Sequence, residues 1–277
     1  MSGGERELAA TTIRDCRQEL AARGSTTIRE AMNGGPDIAG EPVPWHRYPE
    51  GEVYDPLSHA QYFFHCHPAA AATHPAAPGN DLAGLAEHGH FHLFLRAEGM
   101  PRGVAPLVLP EQALVNAPTP PQAAPTRRGS SDRVAHLVAV AVDADGEPVR
   151  LFTTNRWVTG EIWYRAADVA RMLDCFAPGG RSPATLLDRW LGALVRLYRR
   201  EIEDLLDRRD QAVAKWRWLW PRRNALEDPR FEVTAQTRID LETRLAELDR
   251  SVARPRVAGP VARRLVVPPK MSEGWGA

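Results

Sequence analysis

Lysine is almost missing from this 277-residue chain: Lys215 and Lys270 are the only two, and arginine carries nearly all the positive charge. The 35 basic residues are balanced by 35 acidic ones, so the formal net charge is zero. A neutral chain has no bulk attraction for a polyanion, which excludes nucleic-acid binding by charge alone. Arginine in place of lysine, with abundant alanine and proline, is the composition of a GC-rich bacterial coding sequence. No stretch approaches 18 consecutive apolar residues, so no transmembrane helix is expected. The first residues place no basic flank before an apolar run, so no secretory signal is expected either. There are three cysteines, Cys16, Cys66 and Cys175, odd in number and far apart. That spacing offers no disulfide framework and fits a reducing cytoplasm. Histidine is absent after His136. We therefore expect a cytoplasmic protein with no nucleic-acid and no membrane partner. A small-molecule ligand is compatible with this composition, and the oligomeric state is not legible in it.

What is present suffices for an ordinary globular core, at 43% hydrophobic and 25% charged residues. Residues 5–22 read as an amphipathic helix with Leu8, Thr12, Cys16 and Leu20 on its stripe. Residues 41–56 read as irregular but packed. Strands are predicted near 61–67, 90–96, 134–142 and 148–155, the last two joined at Asp143-Ala-Asp-Gly-Glu147, a strong hairpin signal. Residues 69–85 and 100–132 are rich in Ala, Pro or Gly and read as flexible insertions. Beyond Ala166 the pattern is mainly helical. A short helix is expected to Phe176, then a long one capped by Ser182-Pro183, with Leu187, Trp190, Leu194, Tyr198, Ile202, Leu205 and Val213 as its apolar stripe, ending at Pro221. A strand near 231–237 and a helix over 240–252 close the series. The fold class is α+β: a small, mainly antiparallel sheet covered by helices, with a long C-terminal amphipathic helix. The organisation expected is an N-terminal helical segment (1–40), one α+β domain (41–220) and a C-terminal extension and tail (221–277).

The nine histidines crowd into the first half. Glu87-His88-Gly89-His90-Phe91-His92 is the densest cluster. On a strand, residues two apart share a face with Cα atoms roughly 6.5–7 Å apart, which lets two imidazoles converge on one ion at about 2.0–2.1 Å. His88 and His92 lie about 13 Å apart on a flat strand, so a neighbouring strand must complete the site. His65 and His67 form a second same-face pair, and His136 sits inside another strand. His65, His67, His88, His90, His92 and His136 are therefore the candidate ligands of a divalent transition metal such as zinc, iron, nickel or manganese. No Cys-X-X-Cys or His-Glu-X-X-His signature accompanies them. Glu87 is a candidate ligand, orienting group or base, and with His90 and Arg156 it forms the candidate catalytic set. Cys66 points away from His65 and His67. The rival reading is a set of strand histidines lining a polar groove with nothing bound, as in a non-catalytic binding or structural module.

Other segments carry weaker signals. Asn155 and Arg156 could present an amide and a guanidinium to an anion, against an alternative in which Arg156 pairs with Glu161 and Trp157 fills the core. Glu50, Glu52 and Asp55 lie close in sequence, near His46 and His59, and read as a solvated turn. Lys215-Trp-Arg-Trp-Leu-Trp-Pro-Arg-Arg223 interleaves aromatic and basic groups, as membrane-surface and single-strand-binding sequences do. Trp216, Leu219 and Trp220 continue the helix stripe, so core tryptophans at a helix end are expected instead.

Two resemblances follow from these residues. His88-Gly-His-Phe-His-Leu-Phe94 resembles the histidine-triad motif of nucleotide hydrolases and transferases, although Gly89 departs from the usual apolar residue. That resemblance implies His90 as nucleophile on a phosphate and His92 as its hydrogen-bonding partner. Taken together, Tyr48-Pro-Glu-Gly-Glu-Val-Tyr-Asp55, Glu87 to His92 and Asn155-Arg-Trp-Val-Thr-Gly-Glu161 resemble an uncharacterised bacterial family of unknown function over roughly 42–220. That second resemblance implies no activity.

Overall fold

The computed structural model describes residues 3–32, 43–66, 85–107, 133–180 and 185–253. Among the described residues, six strands form one antiparallel sheet in chain order: β1 (Tyr48–Tyr54), β2 (Ala60–Cys66), β3 (Gly89–Arg96), β4 (Val134–Val142), β5 (Pro148–Thr154) and β6 (Val233–Arg238). The helices are α1 (Gly3–Ala22), α2 (Thr27–Met32), α3 (Arg156–Thr159), α4 (Ala166–Met172), α5 (Leu186–Leu197), α6 (Arg199–Leu219) and α7 (Leu241–Ala253). The architecture is α+β, as the alternation of patterns implied. Among the described residues, no helix is long and apolar enough to cross a membrane.

Strand alternation divides the central sheet into two chemical faces. Tyr62, Phe64, Phe91, Leu93, Leu95, Val140, Val142 and Leu151 join the main core with Trp190, Leu194, Tyr198, Ile202 and Leu205 of the helices. The opposite face carries Phe63, His65, His90, His92, Phe94, His136, Ala139, Ala141, Arg150 and Phe152. That face is also withdrawn from solvent, since every residue of β2 and all but the last of β3 are buried. Continuous rather than alternating burial means that polar groups here must find partners within the protein.

Two ties fix the helices to the sheet. Thr185 caps α5: its hydroxyl accepts from Asp188 N at 3.1 Å, while Asp188 Oδ2 accepts from Thr185 N at 3.0 Å. The same carboxylate accepts from the Tyr62 hydroxyl at 2.8 Å, pinning α5 to β2. In the β4–β5 hairpin, Asp143 Oδ1 accepts from Asp145 N and Glu147 N, and Gly146 takes a φ of +82°. The Gly146 carbonyl accepts from Thr27 Oγ1 at 2.6 Å, which docks α2 on the turn.

Four expectations need correction. The single long helix divides at Tyr198, whose φ and ψ of −101° and 20° leave the helical region between α5 and α6. The cap is Thr185, and Ser182-Pro183 lies outside the described residues. In α1 the buried face is Ala9, Ile13, Cys16 and Leu20, with Leu8 largely exposed, because small Ala9 and Ala10 permit close packing. The segment read as irregular contains β1, whose alternation is hidden by Pro49, Gly51 and a left-handed Glu52 (φ 66°) and whose register shifts between Tyr48 and Val53. An edge strand tolerates such residues. The 69–85 stretch lies outside the described residues except Leu85, as does 108–132. Residues Met100 and Val104 pack on the core, and Leu107 N donates to the Trp163 carbonyl at 2.7 Å.

Two consequences of this packing can be tested. Burial pushes the Glu161 carboxyl up to about 7, only partly opposed by the Thr159 hydroxyl and Arg209. The folded state then holds this proton more tightly than the unfolded chain does, so Glu161 costs stability as pH rises from about 4.5 through 7. The cost approaches about 3 kcal/mol at higher pH. Denaturant titrations should show Glu161→Gln matching the wild type near pH 4.5 and exceeding it increasingly above that; parallel pH curves would contradict this. Gly89 is needed for a different reason, since a Cβ there would sit 2.5 Å from Phe64 Cζ and 2.6 Å from the His65 carbonyl oxygen. Gly89→Ala should destabilise by about 1–3 kcal/mol by overpacking, read as a lower denaturation midpoint.

Candidate metal centre

β3 supplies His90 and His92 on one face, and the β2–β3 register sets His65 directly opposite His90. One ring nitrogen from each of His65, His90 and His92 can be chosen so that all three lie within 4.8 Å of one another. His65 Nε2 and His90 Nε2 face each other at 2.7 Å. Ligand nitrogens around a tetrahedral ion at 2.0–2.1 Å are about 3.3 Å apart, so a modest separation of these rings would admit an ion. The rings are 5%, 3% and 0% exposed, respectively, and burial is what makes the arrangement chemically demanding. His92 Nε2 is fully buried and has no hydrogen-bond partner among the described residues. A buried polar nitrogen left this way costs about 1–3 kcal/mol.

Each β3 histidine is held from behind. Glu87 Oε1 lies 2.9 Å from His90 Nδ1 and accepts a hydrogen bond from Nδ1–H, which leaves the His90 Nε2 lone pair directed at His65. Glu87 Oε2 in turn accepts from Arg150 Nη2, and Arg150 Nη1 donates to Gln236 Oε1 at 2.6 Å. His92 Nδ1 lies 3.1 Å from His136 Nε2. Burial, with the surrounding imidazoles and Arg47, holds His92 well below the usual histidine range. Burial and Arg209 hold His136 down to about 3. Both are therefore neutral at ordinary pH, the form in which imidazole ligates metals.

The surroundings are aromatic and dry. Phe63 lies 5.1 Å from the His92 ring and 5.7 Å from that of His65, while Phe152 lies 4.9 Å from His90. Ala139 and Ala141 on β4 are small enough for Phe152 of β5 to meet His90 and His92 across them, at 4.9 and 6.1 Å. Such a setting strengthens electrostatic interactions and excludes competing water.

The six candidate ligands thus separate. His65, His90 and His92 converge, and His136 stands behind His92. His88 precedes β3, where its N–H donates to the Val142 carbonyl, and it is outside the cluster. His67 lies outside the described residues. Of the candidate catalytic set, Glu87 and His90 are adjacent. Arg156 is elsewhere, paired with Glu227 at 3.2 Å, so it also does not make the expected pair with Glu161. Glu52 and Asp55 serve structure: Glu52 accepts from Arg47 at 2.5 Å, and Asp55 accepts from the backbone of Leu57 and Gly180. Cys66 faces the core, as expected. The guanidinium missed by sequence reasoning is Arg150. Its signal was its place two residues before Phe152 on the histidine-bearing face, but only the register brings it to Glu87.

No curated protein and no solved structure matches this chain. The match to one family runs over residues 7–239, wider than the 42–220 core in which the resemblance was seen, and takes in all six strands. The chain belongs to the family described as a domain of unknown function, DUF6969.

Proposed function

We propose that this protein binds one divalent first-row transition metal through the Nε2 atoms of His65, His90 and His92, as a metal-dependent enzyme. The observation that carries this reading is the fully buried His92 Nε2, without a hydrogen-bond partner among the described residues, on a ring 4.8 Å from that of His90 and 5.3 Å from that of His65. In the ligating tautomer, His92 Nδ1–H donates to His136 Nε2 and His90 Nδ1–H to Glu87. Histidines that ligate metals commonly pass their second ring proton to such an outer partner. Three neutral imidazoles without thiolate or clustered carboxylates favour zinc, iron or nickel over magnesium and calcium. Three protein ligands also leave a coordination position open, the hallmark of catalytic rather than closed structural sites. An ion there supplies Lewis acidity, while Glu87 and His136 orient its ligands and the phenylalanines exclude water. The histidine-triad alternative is less favoured, because His90 is only 3% exposed, which leaves no room for a phosphate at its ring, and Gly89 departs from the motif.

Titrating untagged, chelator-treated protein with zinc, nickel or ferrous ion should raise its melting temperature. Saturation to about a hundred times Kd corresponds to about 2.7 kcal/mol, or about 5–10 °C for a chain of this size. His92→Ala should abolish the shift. An unchanged melting temperature with all three metals would overturn the proposal.

The outer partners should behave differently from the ligands. His136→Ala and Glu87→Gln should each weaken metal affinity by about 10–100-fold without abolishing it, as measured by competition with a chromogenic chelator. Wild-type affinity in both would remove His136 and Glu87 from the account. Equal, complete loss in His136→Ala would make it a ligand instead. Azide added to cobalt-loaded protein should alter its visible spectrum by occupying the open position; an unaltered spectrum indicates a closed site.

A further inference from the structure

The far end of α6 is the most exposed apolar feature of the described residues. Trp218 is 80% exposed, Leu219 47% and Trp220 45%, and Pro221 continues the exposed run. Leu219 and Trp220 were expected in the core together with Trp216, and of the three only Trp216 packs inward, stacking on Phe231 at 4.5 Å. The tip is held in place, since Arg230 lies over the Trp216 and Trp220 rings at 5.6 and 5.2 Å. Its charge is of one sign. Lys215 and Arg222 are exposed and make no ion pair among the described residues, and Arg217 makes none either. The nearby carboxylates are already taken, Asp228 by Arg230 at 2.9 Å and Glu227 by Arg156 at 3.2 Å.

We infer that this tip, Trp218 to Pro221 with Lys215, Arg217 and Arg222 around it, is a docking surface for an anionic lipid bilayer. The inference is independent of the metal centre and departs from the absence of a membrane partner expected from composition. Indoles settle at the headgroup level, where the ring is apolar and the N–H finds an acceptor, and cationic side chains beside them meet anionic headgroups. A helix end projecting two tryptophans and a leucine, collared by positive charge, matches that layered chemistry. A single-stranded nucleic acid would use the rings as stacking platforms, but Leu219 and Pro221 have no role in stacking.

The test is flotation of the full-length protein with phosphatidylcholine vesicles, with and without phosphatidylglycerol, at low and high salt. Binding is expected to vesicles containing phosphatidylglycerol and to weaken with salt. Trp218→Ser with Trp220→Ser should reduce it about tenfold or more, while the variant still unfolds in one cooperative thermal transition. Lys215→Gln with Arg222→Gln should weaken it about fivefold per charge removed. No flotation with either vesicle, or flotation indifferent to the tryptophan pair, would overturn the inference. So would tip-dependent retention of oligo-deoxythymidine, or a tip-dependent dimer in sedimentation, without vesicle binding.

Discussion

Imidazoles buried in a strand pair that water does not reach must be satisfied by whatever the neighbouring strands bring to them. β2 and β3 bury both faces almost throughout, so the rings of His65, His90 and His92 depend on Glu87, on His136 and on one another. The β4 residues opposite His90 and His92 are the alanines Ala141 and Ala139, and the flat rings of Phe63 and Phe152 pack against the cluster. The sheet thereby sets aside volume for histidine at its centre, where a core built only for stability would hold Leu, Ile or Val. His92 Nε2 has no hydrogen-bond partner among the described residues, on a ring whose centroid lies 4.8 Å from that of His90 and 5.3 Å from that of His65.

The opposite face explains how this polar centre is kept rigid. Phe64 and Phe91 pack 5.0 Å apart on the helix side, and Phe91 meets Trp190 of α5 at 5.9 Å. Asp188 binds Tyr62 and caps α5 with one carboxylate, so the helix layer and β2 are fixed together. Gly89 then lets β3 run close over Phe64 and the His65 carbonyl. The spacing between His65 and His90 is set by apolar packing on one face and read out as chemistry on the other. Arg150 extends the same logic laterally, joining β5 to Glu87 and, through Gln236, to the edge strand β6.

Much of this was legible in the residues, because local pattern and register happen to agree. The alternation of His90 and His92 with Phe91 and Leu93 is unambiguous, and a cross-strand partner was required on geometric grounds alone. Choosing His65 needed the register, which alternation does not specify. The place of His136 behind His92 was not legible: an apolar strand context marks it as buried but does not say which imidazole it meets. β1 was hidden because Pro49, Gly51 and the left-handed Glu52 mask its alternation. The break at Tyr198 was hidden for the opposite reason, since the apolar stripe runs unbroken across it while the backbone turns. At the end of α6 the stripe misled outright, because a helical pattern gives the side a residue occupies but not whether anything is packed against it.

Whether the three imidazoles hold an ion decides the chemistry of this face of the sheet. The most direct measurement is an anomalous-difference map from crystals of untagged protein saturated with zinc, collected at the zinc edge. The prediction is one peak about 2.0–2.1 Å from Nε2 of His65, His90 and His92, with His136 beyond bonding reach on the Nδ1 side of His92. A map from saturated protein with no peak among these nitrogens, or with zinc bound elsewhere, would contradict it.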